Sequence, residues 1–137
     1  MKDDCIFCKI ANGVIGTTTV YEDDDFRVIM DLNPASKGHC LILPKEHCND
    51  IFDMSEELAS KLFVLTTKVA KALRAALNPA GLNIVQNNGL AAGQTVFHFH
   101  LHLIPRYEGD DVAIGWIPHE SVAEELTAIA EEIGRKI

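Results

Sequence analysis

Three histidines stand at alternate positions of one short apolar run. His98, His100 and His102 are separated by single apolar residues. Successive side chains of a β-strand point to opposite faces, so the three imidazoles would share one face and the apolar residues would pack the other. These apolar residues are Phe97, Phe99, Leu101 and Leu103. Three adjacent titratable rings are typical of a chemical site, because a solvated strand face usually carries Thr, Lys or Glu.

The composition limits both the size of the fold and its partners. A chain of 137 residues with 47% hydrophobic residues suits one ordinary core, so we expect a single domain over residues 1–137. A net charge of −8 argues against a nucleic acid polymer or an anionic membrane as partner, because both require a basic surface. No segment has the character of a signal peptide or a membrane span, so we expect a cytoplasmic protein.

Two segments have the apolar spacing of an amphipathic helix. Over residues 58–77 a leucine or valine recurs every three or four residues, with Ser55 as the expected N-cap and Asn78 as the expected end. The second helix lies at the C-terminus and is expected to open with a capping box of Ser121 and Glu124. Its apolar positions are Val122, Leu126, Ile129, Ile133 and Ile137.

The remaining periodic segments predict an antiparallel sheet. Short β-type runs bounded by turn residues predict strands over residues 17–22, 26–30, 39–43 and 82–86, and the histidine run continues this series to Pro105. Strands interrupted by two helices indicate an α+β fold, with a sheet of about five strands and the helices on one of its faces.

A loop rich in glycine and amide side chains leads into the histidine run. Residues 87–95 include Gly89 and Gly93, and glycines let a backbone direct several N–H groups toward one point, as phosphate binding requires. Neutral imidazole beside phosphate indicates nucleophilic catalysis. His100, with a histidine on either side, is the candidate nucleophile, and His102 is the candidate for stabilising charge on the phosphate.

A C-x-x-C pair near the N-terminus indicates a possible metal site. Cys5 and Cys8 have the spacing that lets two thiolates bind one tetrahedral ion, and His47 and His98 are the available further ligands. A redox pair, a disulfide or two small buried side chains would use the same spacing, and spacing alone does not decide among them.

Several of these segments together resemble the histidine triad family of nucleotide-binding proteins and hydrolases. The run over residues 93–106 has the full pattern of three histidines alternating with apolar residues. Similar short stretches lie at residues 5–10, 30–32, 37–47 and 82–89, so the resemblance spans nearly the whole chain. It is greatest to the short branch with purine nucleoside phosphoramidase activity, in its bacterial zinc-carrying form.

The resemblance implies a fold, a reaction and a set of site residues. It implies a HIT-like sheet extended across a homodimer, in which His100 attacks the α-phosphorus of a nucleoside 5'-phosphoramidate and water then releases the nucleoside monophosphate. His39 would lie beside the histidine strand and help to orient His100. The residues implied for phosphate, with Gln94 bordering it, are Asn87, Gly93, Gln94, Thr95 and His102.

The same resemblance assigns the remaining pocket and a structural metal ion. Asp31 would bind the ribose hydroxyls of a purine nucleotide. The residues implied for the apolar base slot are Ile6, Phe7, Ile10, Ile29 and Leu32. The residues implied as ligands of a structural Zn²⁺ are Cys5, Cys8, His47 and His98. Two further cysteines, Cys40 and Cys48, have no implied role and are interpreted as buried thiols.

Other functions fit the same residues. Hydrolysis of dinucleoside polyphosphates, nucleotidyl sulfates or acyl-adenylates needs the same nucleophile and differs only in the leaving group. A nucleotide-binding regulatory protein would bind the monophosphate with incidental turnover. A chain whose histidines and cysteines only bind metal would lose nucleotide binding on chelation. Thr95 stands where many members of the family have Ser, so its extra methyl group can shift substrate preference.

Overall fold

The protein is an antiparallel sheet of five strands with three α-helices, which confirms the predicted α+β class. The computed structural model describes all 137 residues. The strands are β1 (Thr19–Glu22), β2 (Phe26–Met30), β3 (Cys40–Pro44), β4 (Gly81–Gln86) and β5 (Leu101–Arg106). The helices are α1 (Ile6–Ala11), α2 (Glu56–Leu77) and α3 (Ala123–Gly134). No helix is long and apolar enough to cross a membrane.

The strand order places the histidine-bearing strand in the interior of the sheet. The order is β1-β2-β3-β5-β4 with antiparallel neighbours throughout, so β1 and β4 are the two edges. In the β3–β5 pair, Leu41 lies opposite His102 and Ile42 lies opposite Leu101. Directly opposed residues share a face, so His102 lies on the face to which Leu41 points.

The two faces of the sheet carry different helices. Cys40 and Ile42 of β3 belong to the main core under α2, whereas Leu41 and Leu43 belong to a smaller cluster with Ala11 of α1. This alternation follows from the two-residue period of a strand. The sequence analysis expected α2 and the C-terminal helix on one face. Helix α2 covers its face of the sheet, but α3 is exposed and packs on neither face, so that part of the prediction is wrong. The six-residue α1, which is too short to show a helical period in the sequence, covers the face opposite α2.

Helix α2 begins and ends where its sequence indicates. The Ser55 hydroxyl accepts the N–H of Leu58 at 3.2 Å, and Asn78 ends the helix in the left-handed conformation with φ 45°. The leucine spacing faces the sheet, because Leu58, Leu62, Leu65 and Val69 are all buried. The predicted boundaries of this helix are confirmed.

The histidine strand is shorter than predicted. β5 begins at Leu101, so His98 and His100 precede it. The N–H of Phe99 donates to the carbonyl of Cys48 at 2.8 Å, outside the ladder between β3 and β5. Phe97 is 46% exposed rather than packed in the core. The predicted strand start is wrong because this segment leaves the ladder to bring His98 to side chains from other parts of the chain.

The C-terminal helix forms as predicted but lies apart from the sheet. Val122 occupies the N-cap position without a side-chain hydrogen bond, so the predicted capping box of Ser121 and Glu124 is wrong. All twelve residues of α3 are exposed. Its apolar stripe has no partner within the chain.

The two candidate caps should differ in their effect on stability. We expect Ser55→Ala to lower the free energy of unfolding by about 1 kcal/mol, because the Leu58 N–H loses its acceptor. Ser121→Ala is the matched control and should leave this free energy unchanged. Urea unfolding followed by circular dichroism measures both, and equal losses in the two variants would contradict the capping assignment.

Candidate active site and metal centre

One hydrogen bond fixes the tautomer of His100. Its Nδ1–H donates to the carbonyl of His98 at 2.8 Å. A neutral imidazole carries one proton, so the lone pair lies on Nε2. The ring stands between two others, with its centroid 5.0 Å from that of Phe7 and 5.1 Å from that of His102. His100 thus has the proton arrangement of an imidazole nucleophile.

A second chain of hydrogen bonds fixes the tautomer of His102. The N–H of Ala35 donates to His39 Nδ1 at 2.9 Å, so His39 carries its proton on Nε2. His39 Nε2–H then donates to His102 Nδ1, also at 2.9 Å. His102 therefore presents its own proton on Nε2. The sequence predicted that His39 would help to orient His100, but its ring nitrogens bond to Ala35 and His102.

Burial keeps these paired rings neutral. Burial, with smaller contributions from the neighbouring His100 and His39, lowers the pKa of His102 to about 4. Burial also lowers the pKa of His39, while the carboxylate of Asp31, 3.5 Å from His39 Nε2, acts in the opposite direction. At neutral pH His102, held by His39, can therefore donate a hydrogen bond from Nε2 to a ligand while both rings remain uncharged.

The predicted phosphate loop is held by a buried glutamine. Gln94 is 1% exposed; its Oε1 accepts the N–H of Gly89, and its Nε2 donates to the carbonyls of Asn49 and Val96. The polar atoms of its side chain are thus engaged in hydrogen bonds to backbone groups in and beside the loop. Gly89 and Gly93 both adopt positive φ, at 85° and 92°, which a side chain would oppose.

The other predicted phosphate ligands lie around this loop. The Asn87 amide lies beside Gly93, 3.6 Å from where a Cβ of that residue would be. Thr95 is exposed at the end of the loop, directly before the run that carries His98. The turn therefore presents an amide, a hydroxyl and glycine backbone on the approach to the histidines, a set of groups suited to phosphate oxygens.

The predicted base slot is partly assembled. Phe7 and Ile10 of α1 pack against a cluster that contains Ile29, on the α1 face of the sheet. Ile6 and Leu32 are 52% and 83% exposed and lie at the surface. Asp31, predicted to bind ribose, is half-buried and follows β2 directly. The apolar floor and the carboxylate are thus present on one face.

Four side chains from distant parts of the chain converge on one point. Their donor atoms all lie within 4.8 Å of one another. Cys8 Sγ lies 3.3 Å from His47 Nδ1, Cys5 Sγ lies 3.4 Å from His98 Nδ1, and the two Nδ1 atoms are 3.2 Å apart. Ligands of a tetrahedral zinc ion are about 3.3 to 3.8 Å apart. We call these four residues the Cys/His cluster.

The proton arrangement of the Cys/His cluster suits a bound cation. His98 Nε2–H donates to the carbonyl of Pro44 at 2.9 Å, and His47 Nε2–H donates to Asn49 Oδ1 at 3.1 Å. Each Nδ1 then carries a lone pair, and the two face each other. Burial raises the pKa of the Cys8 thiol. A bound metal ion would accept both Nδ1 lone pairs and would favour the Cys8 thiolate. Carbonyl or amide partners behind the ligands are typical of metal sites.

Only one histidine of the run belongs to the Cys/His cluster. His98 is a member, whereas His100 donates a hydrogen bond to a backbone carbonyl and His102 accepts a hydrogen bond from His39. The 2.9 Å contact between His39 and His102 holds a proton, although these two rings and Asp31 also lie close enough together to resemble a metal site. This geometry argues against a chain whose histidines all bind metal.

Comparison with a family model decides the relationship. The model of the HIT domain matches residues 12–109 of this chain. The chain belongs to the HIT family. Protein hit of Bacillus subtilis is 40% identical over 98% of this HIT protein and 95% of its own length. Adenosine 5'-monophosphoramidase hnt1 of Schizosaccharomyces pombe is 39% identical over 97% of this chain and 98% of its own length. Adenylylsulfatase HINT3 of Arabidopsis thaliana is 38% identical over 80% and 56%.

Solved structures of similar proteins agree in fold. A HIT family protein from Bacillus anthracis is 46% identical and covers 100% of this HIT protein and 99% of its own chain, with a TM-score of 0.93. A histidine triad nucleotide-binding protein from Candida albicans is 30% identical over 97% and 96%, with a TM-score of 0.87. A Zn-bound histidine triad family protein from Mycobacterium smegmatis is 36% identical over 96% and 97%, with a TM-score of 0.76.

Two features of the site of this HIT protein are not readable from motif spacing. The backbone N–H of Ala35 determines which ring nitrogen of His39 carries the proton, and its only sequence signal is the Asn33-Pro34 turn before it. The carbonyl of Pro44 sets the His98 proton and carries no signal at all. The interpretation of the unassigned cysteines is confirmed: Cys40 and Cys48 are buried, and burial raises the pKa of each to about 11.

The lowered pKa of His102 predicts a pH dependence of stability. The unfolded chain binds this proton near pH 6.5 and the folded chain only near pH 4. The contribution of His102 is therefore complete above pH 6.5 and is lost as the pH falls toward 4. Gln at position 102 can still accept a hydrogen bond from His39. We therefore expect His102→Gln to reduce the slope of the unfolding free energy against pH over this range, by an amount that corresponds to up to about one bound proton.

Urea unfolding at several pH values between 4 and 7.5 measures this slope. His119→Gln is the matched control, because His119 is exposed and outside the site. An equal slope in the His102 variant and the parent protein would contradict a neutral, buried His102.

Proposed function

We propose that this protein hydrolyses purine nucleoside 5'-phosphoramidates through a covalent nucleotidyl-histidine. The observation that carries the proposal is the pair of fixed tautomers: His100 has a free Nε2 lone pair, and His102 beside it presents an Nε2–H. One ring can attack phosphorus while its neighbour donates a hydrogen bond to the developing charge. The relative named adenosine 5'-monophosphoramidase, 39% identical over nearly the whole chain, supports this choice.

The reaction proceeds in two displacements at phosphorus. His100 Nε2 attacks the α-phosphorus, the phosphorus–nitrogen bond of the substrate breaks, and the amine leaves with a proton. Water then attacks the same phosphorus, the bond to His100 breaks, and the nucleoside monophosphate leaves. The His98 carbonyl stabilises the ring in both steps, because it accepts the Nδ1–H whose positive character grows as Nε2 bonds to phosphorus.

The residues around the histidines hold the nucleotide. Asn87, Gly93, Thr95 and His102 bind phosphate oxygens, and Gln94 keeps the loop in shape from beneath. Asp31 accepts hydrogen bonds from the ribose hydroxyls. The base lies on an apolar floor that is formed by Phe7, Ile10 and Ile29 and bordered by Ile6 and Leu32.

The Cys/His cluster holds one structural Zn²⁺. Its two thiols and two Nδ1 atoms match tetrahedral zinc in type and spacing. The Zn-bound relative from Mycobacterium smegmatis supports the choice of metal. The ion supplies a cross-link rather than catalytic chemistry, because all four positions are taken by protein ligands. It fixes α1, so Phe7 remains edge-on to His100 with centroids 5.0 Å apart.

A second substrate class is supported by one relative. The similarity to an adenylylsulfatase favours adenylyl sulfates as substrates. Dinucleoside polyphosphates and acyl-adenylates belong to the same class, because all three are anhydrides of a nucleoside monophosphate. All of them give the same nucleotidyl-histidine and differ only in the group that leaves. A regulatory nucleotide-binding role remains the alternative if turnover is negligible.

The enzyme acts as a homodimer whose sheets join at the β4 edge. Strand β4 has only one neighbour in the sheet, and Ile84 on it is 45% exposed. An edge of this kind offers unpaired backbone groups to a second copy. The single domain over residues 1–137 and the cytoplasmic location stay predictions.

Loss of the nucleophile should stop turnover but not binding. We expect His100→Ala and His100→Asn to lower kcat for an adenosine 5'-phosphoramidate with a fluorescent amine leaving group by about a thousandfold or more. His119→Asn is the control and should retain full activity. Binding of AMP, measured by calorimetry, should persist in both His100 variants.

The same assay ranks the substrate classes. The kcat/KM values for the phosphoramidate, adenosine 5'-phosphosulfate and a diadenosine polyphosphate should be highest for the phosphoramidate. A parent protein that binds AMP but turns over none of the three would support the regulatory role and contradict the proposed activity.

Metal removal should release the base slot. We expect one zinc per chain by elemental analysis and none in Cys8→Ser, because that variant loses one of two thiolate ligands. Loss of the ion should lower the melting temperature and weaken AMP binding about tenfold, since α1 carries Phe7 and Ile10. Cys48→Ala, which removes a buried thiol outside the cluster, should retain the zinc. Stoichiometric zinc in Cys8→Ser would contradict the ligand set.

A further inference from the structure

The C-terminal end of α1 is held by hydrogen bonds that are separate from the thiol and imidazole contacts of the Cys/His cluster. The guanidinium of Arg27 donates from Nη1 to the carbonyl of Ile10 at 3.2 Å. The side-chain amide of Asn12, the residue after the helix, donates from Nδ2 to the carbonyls of Cys8 and Lys45 at 2.9 and 3.0 Å. The last carbonyls of a helix lack regular partners within it, so these donors fix where α1 ends and where it lies on the sheet.

An ion-pair network on the sheet holds the guanidinium in this position. Arg27 of β2 lies directly opposite Glu22 of β1, and its Nη2 donates to Glu22 Oε2 at 2.6 Å. The ammonium of Lys45 lies 2.8 Å from the other carboxylate oxygen, Oε1. Lys45 and Arg27 both lower the pKa of Glu22, which keeps the carboxylate ionised. The Arg27 side chain is only 13% exposed, so packing restrains it as well.

This network lies on the same face of the sheet as the proposed base slot. Arg27 and Ile29 are two residues apart on β2, so their side chains share one face. Leu43 lies opposite Arg27, and both Leu43 and Ile29 belong to the cluster against which Ile10 packs. The residue whose carbonyl Arg27 binds is therefore itself part of the proposed slot.

The contribution of Arg27 to stability is small, because its favourable and unfavourable parts offset each other. Its Nε is buried and has no acceptor in the chain, and an unpaired buried donor costs free energy. The Glu22 side chain is 39% exposed and keeps Lys45 as a partner when Arg27 is replaced. A partly exposed ion pair adds little to the free energy of unfolding. What Arg27 supplies is the position of Ile10.

We propose that Arg27 is a positioning residue for nucleotide recognition: its guanidinium, held by Glu22, fixes the C-terminal end of α1 and with it the wall of the base slot. The inference rests on the proposed function, in which Phe7 and Ile10 of α1 contact the base. The Cys/His cluster holds the same helix at its N-terminal end, so α1 has two separate anchors. No hydrogen bond of Arg27 reaches the histidines or the phosphate loop. Arg27 therefore acts on binding of the base and not on the transfer at phosphorus.

Binding of two ligands that differ at the base tests this role. AMP and ribose 5-phosphate share the phosphate and the sugar, so the ratio of their dissociation constants reports on the base slot. Arg27→Met keeps an unbranched apolar stem and removes the hydrogen bonds to Ile10 and Glu22. We expect this variant to bind AMP about fivefold more weakly, by calorimetry, with the affinity for ribose 5-phosphate unchanged.

Two further variants separate the contact to α1 from the ion pair. Arg27→Lys keeps the charge but lacks the forked guanidinium. It can pair with Glu22 but not bind the Ile10 carbonyl at the same time, so we expect the same loss of AMP affinity as in Arg27→Met. Glu22→Gln removes the charge and keeps an oxygen that can accept from Nη2, so it should bind AMP within about twofold of the parent protein.

Lys61→Met is the matched control for the loss of a charged side chain. Lys61 forms ion pairs with Asp25 and Glu57 on α2, which covers the opposite face of the sheet. Its replacement removes one positive charge and leaves α1 untouched. We expect this variant to bind AMP and ribose 5-phosphate as the parent protein does.

Turnover provides a second readout. With the phosphoramidate, Arg27→Met should raise KM about fivefold and leave kcat within about twofold, because the histidines keep their hydrogen bonds. Its zinc content should equal that of the parent protein, since the Cys/His cluster is unchanged. A merely structural role would instead lower kcat and the free energy of unfolding together.

Two results would overturn the role of Arg27. One is an unchanged affinity for AMP in a folded Arg27→Met variant. The other is an equal loss of affinity for AMP and ribose 5-phosphate, because the effect would then lie outside the base slot. A parent protein that binds AMP no better than ribose 5-phosphate would overturn the base slot itself, and with it both the proposed function and the role of Arg27.

Discussion

His98 connects the two chemical parts of the molecule. Its side chain brings one Nδ1 to the Cys/His cluster, and its own carbonyl accepts the Nδ1–H of His100. The same residue therefore takes part in the proposed metal site and sets the proton of the proposed nucleophile. Phe7 repeats this link from the other side, since it lies between Cys5 and Cys8 in sequence and edge-on to His100. Anything that shifts the cluster also shifts the ring that would attack phosphorus.

The site controls its imidazoles through the backbone rather than through charged partners. Backbone groups of His98, Pro44 and Ala35 determine which nitrogen of His100, His98 and His39 carries the proton. Burial keeps the pKa values of His98 and His102 near 4, so both rings are neutral at physiological pH. Neutral donors and glycine amides suit a chain of net charge −8, which has few cations to place beside a phosphate.

Local patterns in the sequence predicted the elements whose structure is decided locally. Helix α2 has a long apolar period and a side chain to cap it, and β2 is a short, mostly apolar run between two turns, so both were predicted within a residue. Helix α1 has no readable period in six residues, and the strand at His98 ends early because a long-range contact outweighs its alternation. The four cluster ligands were candidates from the sequence alone, and the family resemblance then implied them as one set. Their convergence depends on the packing of the whole sheet, which spacing cannot encode.

The Cys/His cluster also bears on the order in which the chain folds. Its contacts join positions 39, 51 and 93 residues apart along the chain, and closing such loops before other structure exists is entropically costly. His47 follows β3 and His98 precedes β5, so pairing of these strands brings the two side chains together, and we expect the cluster to assemble late in folding. A chain emerging from the ribosome can form α2 early, but it cannot assemble the Cys/His cluster or the triad until residue 98 and the strand after it are available.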